Sequence, residues 1–554
     1  MQVRPGHDRR PLLIAAVFAL SLVAGLGAWP TVHGQLCPSI LIASSNEKYE
    51  LMRDLARDYS GKYPSPWSGC GPAVTVERVA SGDAERLLAQ GWIGEGRPDV
   101  WSPAASTWVE LLRYHRPGIV PSGQAAVIAR SPLVIAMPER MARAMSWPGV
   151  QPGWKELLQL ANDTRGWGRF GHPEWEAFRL GKTDPRKSTS GLHSLIAAYY
   201  AATGTLSTLT EKDLAATDTV KFVKGVESSV SHYAPTVASF LDNMAEAAKV
   251  SDASALSYIS ALAVEEQEVY YYNKGGHNDS VAPRIYLAAI YPNGGTLVAD
   301  HPYVPLPMSE GKARIATEFL KWLQGDSPQK RFGDAGFRNH RGIAGDKLAQ
   351  TPGILAAQPL SYLVPPSPRV ISAIQKSWPE VRKPARVLIL LTLTDKSQRA
   401  AIAAAVAELS GRDQVALWTV EPGRTSPTVG ITSLEGGRAA IDDAIGSARV
   451  VSGKLPLYFN IQGAYRFLTG NFDPTRINAI VIIAANGDDG SGPLLTDLEQ
   501  EILAGSAKTP IRIYTVGLAG SDRKALQGIE KVSGGVDTPT DDPVAAIRAS
   551  FANF

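Results

Sequence analysis

Apolar and polar positions alternate in blocks along this chain, and the blocks read as strands followed by helices. Ser39 to Ala43 is a short apolar run that predicts a strand ending at Ser44-Ser45-Asn46. The spacing of Leu51, Leu55 and Tyr59 predicts a helix behind it. The same order recurs at Val74 to Val79 with Ala84 to Gln90, and at Asp99 to Ser102 with Trp108 to Tyr114. Strands at Ser131 to Met137, Tyr286 to Tyr291 and Thr296 to Leu297, with a helix at Arg314 to Leu323, extend the pattern. Alternation of this kind predicts a parallel α/β sheet.

From Gly345 to Pro384 the chain carries Pro352, Pro359, Pro365, Pro366, Pro368, Pro379 and Pro384, which predicts an inter-domain linker over 346–384. Beyond it the alternation restarts. Strands are predicted at Arg386 to Thr392, Val415 to Val420, Ile477 to Ala484 and Ile511 to Val516. Helices are predicted at Gln398 to Leu409, Arg438 to Ala448, Leu457 to Leu468, Leu494 to Leu503 and Val544 to Phe551. This order fits a doubly wound sheet flanked by helices. No repeat of 20–50 residues is evident.

Length and composition agree with a globular chain of two or three domains: 554 residues, 44% hydrophobic and 20% charged. With 56 Lys+Arg against 53 Asp+Glu, and no long basic run, nucleic acid is not an expected partner. Arg4, Arg9 and Arg10 precede an uncharged apolar stretch from Leu12 to Trp29 that ends at Pro30. The pattern predicts passage across a membrane. No small-x-small cleavage site precedes Gln35, which favours an uncleaved single-pass anchor through 12–29 with the bulk of the chain extracytoplasmic. The expected division is 1–34 for tail and anchor, 35–345 for a first domain, 346–384 for the linker and 385–554 for a last domain. Cys37 and Cys70 fall in the part the anchor would export, where a lone pair of cysteines predicts a disulfide.

The segment from Leu36 to about Gly342 resembles bacterial extracellular solute-binding proteins of the two-lobed class that includes molybdate- and sulfate-type binders. The residues that carry this are Ile42-Ala43-Ser44-Ser45-Asn46-Glu47-Lys48, Arg97-Pro98-Asp99-Val100-Trp101, Lys182-Thr183-Asp184-Pro185 with Ser188-Thr189-Ser190-Gly191, and Glu265-Glu266-Gln267. Tyr291-Pro292, Asp300-His301-Pro302, Phe319 to Leu323 and Gly336-Phe337-Arg338 complete them. The resemblance implies a small solute held between two lobes. The residues point the same way, because a helix start after a strand offers backbone N–H groups to anions and polar groups. Ser44, Ser45, Asn46, Ser102 and Ser106, and Ser188, Thr189 and Ser190, are the candidate ligand residues. Helix capping is the alternative role for the same residue types.

From Pro384 onward the chain resembles von Willebrand factor A domains, through Val387-Leu388-Ile389-Leu390-Leu391, Gly453-Lys454-Leu455-Pro456-Leu457-Tyr458, Val481-Ile482-Ile483-Ala484-Ala485-Asn486-Gly487 and Ile511-Arg512-Ile513-Tyr514-Thr515-Val516-Gly517. That family holds a divalent cation with an Asp-x-Ser-x-Ser turn, a Thr and a further Asp, oxygen ligands suited to Mg²⁺ or Ca²⁺. Aligned on it, this sequence has Thr392, Thr394, Lys396, Leu455 and Asn486 at those five places. Both carboxylates are lost and a lysine stands in a serine's place, so no metal is expected at that site. A fold kept as a protein-interaction surface is the expectation, with an envelope partner met through 385–554.

No catalytic signature appears. Gly181-Lys182-Thr183 imitates the end of a phosphate loop, but Glu176 stands where the motif needs glycine. There is no Gly-x-Ser-x-Gly elbow and no His-Glu-x-x-His helix, and His172, His193, His277 and His301 are scattered. The expected protein is a non-enzymatic, membrane-tethered binder of a small polar or anionic solute, with no cofactor. The alternative is an adhesion or scaffold protein acting through its last domain, with a vestigial cleft.

Overall fold

The computed structural model describes residues 38–63, 73–92, 96–205, 207–234, 236–393, 395–422, 424–506, 509–518, 520–535 and 542–554. The expected anchor at 12–29, both cysteines (Cys37 and Cys70) and Thr394 lie outside the described residues. Among the described residues no helix is long and apolar enough to cross a membrane.

The chain divides into two compact units. One holds the described residues up to Ile128 together with His301–Arg331; the other holds Ala129–Asp300 and Phe332–Phe554. The second unit thus contains both the remainder of the 35–345 region and all of 385–554.

In the first unit, β1 (Ile40–Ser44) lies between β2 (Val74–Arg78) and β3 (Val100–Ser102), parallel to both. The strand Pro302–Pro305 runs antiparallel to β3 and to β4 (Ala126–Val127). Ile40, Ile42 and Ala43 are all buried, as befits a parallel strand covered on both faces. Helix α1 (Tyr49–Lys62) buries Met52, Leu55, Ala56 and Tyr59, the i, i+3, i+4, i+7 stripe of an amphipathic helix. The strand therefore ends, and the polar loop begins, where the apolar run stops.

The described residues of the second unit carry two sheets. In one, the long β5 (Ala129–Pro138) pairs antiparallel with β8 (Ala261–Glu265) and β9 (Leu287–Ile290), while β6 (Leu180–Thr183) runs parallel to β7 (Val230–Ala234) and β8. The expected strand at Thr296 to Leu297 is instead an isolated bridge from Thr296 to Tyr362, and the paired residues are Val298–Ala299. The other sheet has the order β12-β11-β10-β13-β14, from β10 (Ala385–Leu391), β11 (Gln414–Glu421), β12 (Arg424–Ser433), β13 (Ile477–Ala484) and β14 (Arg512–Gly517). All are parallel except the edge strand β12. The winding reverses between β10 and β13, so their carboxyl ends form the switch point of the sheet.

The proline-rich segment is more than an open linker. Pro368–Val381 forms a helix with Val370, Ile371, Ile374 and Trp378 buried along one face. Ser367 caps it through Val370 N–H at 3.4 Å, and Pro368 at the first turn costs no hydrogen bond. Tyr199 Oη meets Ser377 Oγ at 2.8 Å and Gln375 Nε2 donates to Pro185 O at 3.0 Å, which seats the helix on the preceding part of the unit. Of the seven prolines, Pro379 lies within the helix interior, and the apolar stripe outweighs it.

Candidate functional site

In the first unit, β1 and β3 end side by side, with Ser44 registered opposite Ser102. Their hydroxyls are already engaged: Ser44 Oγ donates to Ser45 O at 3.2 Å, and Ser102 Oγ donates to Pro302 O at 2.9 Å. Ser45 precedes a three-residue 3₁₀ turn, Asn46–Lys48, and its side chain makes no capping bond. Instead Ser45 Oγ donates to Glu47 Oε1 and accepts from Lys48 Nζ. Lys48 is fully buried and also donates to Ser102 O at 2.9 Å and Pro103 O at 3.1 Å. Asn46 is half-buried at the start of the turn. Ser106 is the first residue of the helix Ser106–His115.

Glu47 Oε1 lies 3.5 Å from Nδ1 of the buried His301. His301 holds a positive φ of 37°, uncommon for a residue with a side chain. Backbone bonds pin it there: His301 N–H donates to Ala104 O at 2.9 Å, and Ile128 N–H donates to His301 O at 3.1 Å. The sequence marked Ser45 and passed over Glu47, Lys48 and His301 as site residues. A lysine three places after the serine was the available signal for an inward ammonium.

In the second unit, β6 ends at Thr183 and helix α2 (Thr189–Thr203) begins six residues later. Thr183 Oγ1 donates to Ser188 Oγ at 2.9 Å and lies 3.2 Å from Ser190 Oγ, while Ser188 and Ser190 hydroxyls are 3.0 Å apart. The three hydroxyls close a ring. Ser188 occupies the N-cap position of α2 and makes no capping bond, so helix capping does not account for it. Ser190 and Thr189 are buried and Ser188 half-buried. Gly191 is required next to them, because a Cβ there would stand 2.4 Å from Thr183 O. Thr183, absent from the expected set, is brought in by the strand end. One turn further along α2, burial pushes His193 down to about 3, so its imidazole stays neutral.

At the switch point of the second sheet, Thr392 Oγ1 donates to Ile483 O at 3.1 Å and accepts from Ala485 N–H. Leu455 is buried, its N–H donating to Gly487 O at 3.1 Å and its carbonyl accepting from Asp489 N–H at 2.8 Å. Asn486 Nδ2 donates to Val451 O at 3.5 Å, and Lys396 is exposed. The two nearby aspartates serve the backbone. Asp488 accepts Tyr458 N–H and Gly490 N–H, each at 2.8 Å, and Asp489 accepts Ser491 N–H at 2.9 Å and its hydroxyl at 2.6 Å. Asp488→Ala is expected to lose an N-terminal cap of the helix Leu457–Gly470, lowering stability by about 1 kcal/mol in a urea titration.

A surface cavity of about 450 Å³ in the second unit is lined by Asp242, Glu246, Lys249, Tyr271, Lys274 and His277. Burial alone would lower His277, but the carboxylates of Asp242, 2.7 Å from Nδ1, and Glu268, 3.9 Å from Nε2, raise it to about 9. The protonated ring therefore stabilises the fold fully below its ordinary 6.5, and that contribution is lost as pH rises through about 9. Stability is expected to fall by at most about 1.4 kcal/mol per pH unit across that window, and His277→Gln should flatten the slope. Urea midpoints at a series of pH values measure it.

Residues 40–338 match the family described as bacterial extracellular solute-binding protein. No curated protein matches the chain. Among solved structures, a periplasmic thiamin binding protein is 12% identical with a TM-score of 0.41, over 62% of this chain and 94% of that one. The ferric binding protein from Campylobacter jejuni is 12% identical with a TM-score of 0.42, over 62% of this chain and 99% of that one. The periplasmic binding protein AfuA from Actinobacillus pleuropneumoniae is 12% identical with a TM-score of 0.42, over 62% of this chain and 98% of that one.

Proposed function

The chain belongs to the bacterial extracellular solute-binding proteins, and from that we propose that it binds a small polar or anionic solute outside the cytoplasm without converting it. The observation that carries this reading is the hydroxyl ring of Thr183, Ser188 and Ser190 at the start of the 15-residue helix α2. The ring bonds are neutral, and a hydroxyl proton can turn from a neighbour toward an arriving anion. The exchange is favourable because a hydrogen bond to a charged group is about twice as strong as a neutral one. The first turn of the helix adds backbone N–H groups and the positive end of its dipole.

From the sequence we also infer the setting of this binder. The apolar segment 12–29 tethers it to the membrane, and Cys37 and Cys70 form a disulfide outside. The sheet β12-β11-β10-β13-β14, with its antiparallel edge, supports a von Willebrand factor A-like reading of 385–554. Thr392 and Leu455, one bonded to main chain and the other apolar and buried, support loss of the cation there. That domain then meets an envelope protein without a metal.

Binding is tested by thermal shift and calorimetry on the full-length protein with sulfate, molybdate, phosphate and neutral sugars. Ser188→Ala with Ser190→Ala should weaken the bound solute roughly tenfold to a hundredfold, the worth of one or two hydrogen bonds to a charged group. An unchanged Kd in the double variant would remove the hydroxyl ring from the binding surface.

A further inference from the structure

The two helix starts differ in what they offer a solute. At Thr183, Ser188 and Ser190 the hydroxyl protons are exchanged among neutral partners. Ser45 has no such freedom. Its oxygen accepts from the Lys48 ammonium and its proton goes to the Glu47 carboxylate, two charge-assisted bonds. Redirecting that proton to an incoming anion would leave Glu47 short of a donor and place two negative charges side by side.

Lys48 cannot serve the anion either. An ammonium has three protons, and those of Lys48 are directed to Ser45 Oγ, Ser102 O and Pro103 O, with the side chain wholly buried. Its charge closes the ends of β1 and β3 and lies 3.7 Å from Glu47 Oε1. The 3₁₀ turn Asn46–Lys48 is three residues long and brings no aligned helix dipole. Ser44 and Ser102 are fully buried and donate to carbonyls.

The remaining charged group of the turn is the Glu47 carboxylate, which is half-buried. Its side chain is 13% exposed; Ser45, His301 and Lys48 all approach Oε1, and among the described residues Oε2 accepts no hydrogen bond. His301 stands beside it, fixed by its two backbone bonds. We infer that the first unit meets its solute through Glu47, and that the part of the solute bound there carries positive charge, as an organic ammonium or a metal cation. This rests on the reading that the loop after β1 takes part in holding a solute.

The test uses the full-length protein, with choline, putrescine, MgCl₂ and ZnCl₂ as cationic probes and sulfate and molybdate as anionic ones, read by calorimetry. At least one cationic probe is expected to bind, with Glu47→Gln weakening it tenfold or more and Glu47→Asp retaining most of the affinity. Thermal melts of the unliganded variants confirm that they fold. EDTA abolishes the response if the cation is a metal and leaves it if it is an amine. Anions that bind wild type and Glu47→Gln equally well, with no cation binding, overturn this inference and leave the solute-binding reading standing. No binding of any cationic or anionic probe, and none of the neutral sugars used to test the proposed function, overturns both.

Discussion

Glu227→Gln is expected to lower folding stability by about 3–5 kcal/mol, read as a large fall in the urea midpoint. Lys182 on β6 and Glu227, near the end of the helix Thr217–Ser228, form an ion pair in which both side chains are wholly buried. The second carboxylate oxygen of Glu227 accepts from Tyr233 Oη at 2.6 Å, and Tyr233 is itself fully buried on β7. Burial, with the Glu227 charge beside it, pushes the Tyr233 phenol well above its usual range, so it remains a donor. Glutamine keeps the shape and an acceptor but removes the charge. The ammonium of Lys182 is then buried without its counter-ion, and that is where the cost arises. A double variant, Lys182→Met with Glu227→Leu, is expected to recover most of the loss, because apolar groups of similar volume often replace a buried pair at little cost. Single and double losses that simply add would show the two charges to be uncoupled.

Trp378→Ala should have an effect of similar size, about 3–5 kcal/mol, the usual range for emptying a buried tryptophan site. Trp378 is 1% exposed in the helix Pro368–Val381. Its ring stands edge-on to Tyr233 at 5.3 Å, with the guanidinium groups of Arg186 at 4.8 Å and Arg382 at 5.8 Å. Arg382 pairs with the buried Asp413, whose carboxylate also accepts Ala385 N–H at 2.7 Å and Ser410 N–H at 2.8 Å. One indole therefore ties the helix both to β7 and to the first strand of the last sheet. Its removal should expose residues 352–367 to proteolysis and split a single melting transition in two. Trp378→Phe, which keeps much of the ring, should cause less than half the loss. A single, unshifted transition in Trp378→Ala would show that the helix is not what joins these parts.

The strand and helix order was readable because it depends on local periodicity. The run Ile40 to Ala43, the stripe Leu51, Leu55 and Tyr59, and the apolar strand Ile477 to Ala484 each become buried elements close to where the pattern predicts them. Boundaries slipped at the ends: β1 gains Ser44, and Ser106 enters its helix. The proline-rich segment also holds a helix that its prolines do not announce. Prolines punctuate a chain, but Pro368 stands at a helix start, where its missing N–H is not needed.

By itself the sequence determined the alternating α/β architecture, the second sheet and the polar helix starts, since each follows from residue types a few places apart. Only the tertiary structure decided which hydroxyls are held by charged partners and which by neutral ones. Ser45 and Ser188 look alike as serines after a strand. Ser45 is held by an ammonium that also binds carbonyls more than fifty positions away, at 102 and 103, whereas the partners of the Ser188 hydroxyl among the described residues are the hydroxyls of Thr183 and Ser190. A hydroxyl's role is set by the charge of its partners, and those partners are chosen by the packing of strands distant in sequence rather than by its neighbours along the chain.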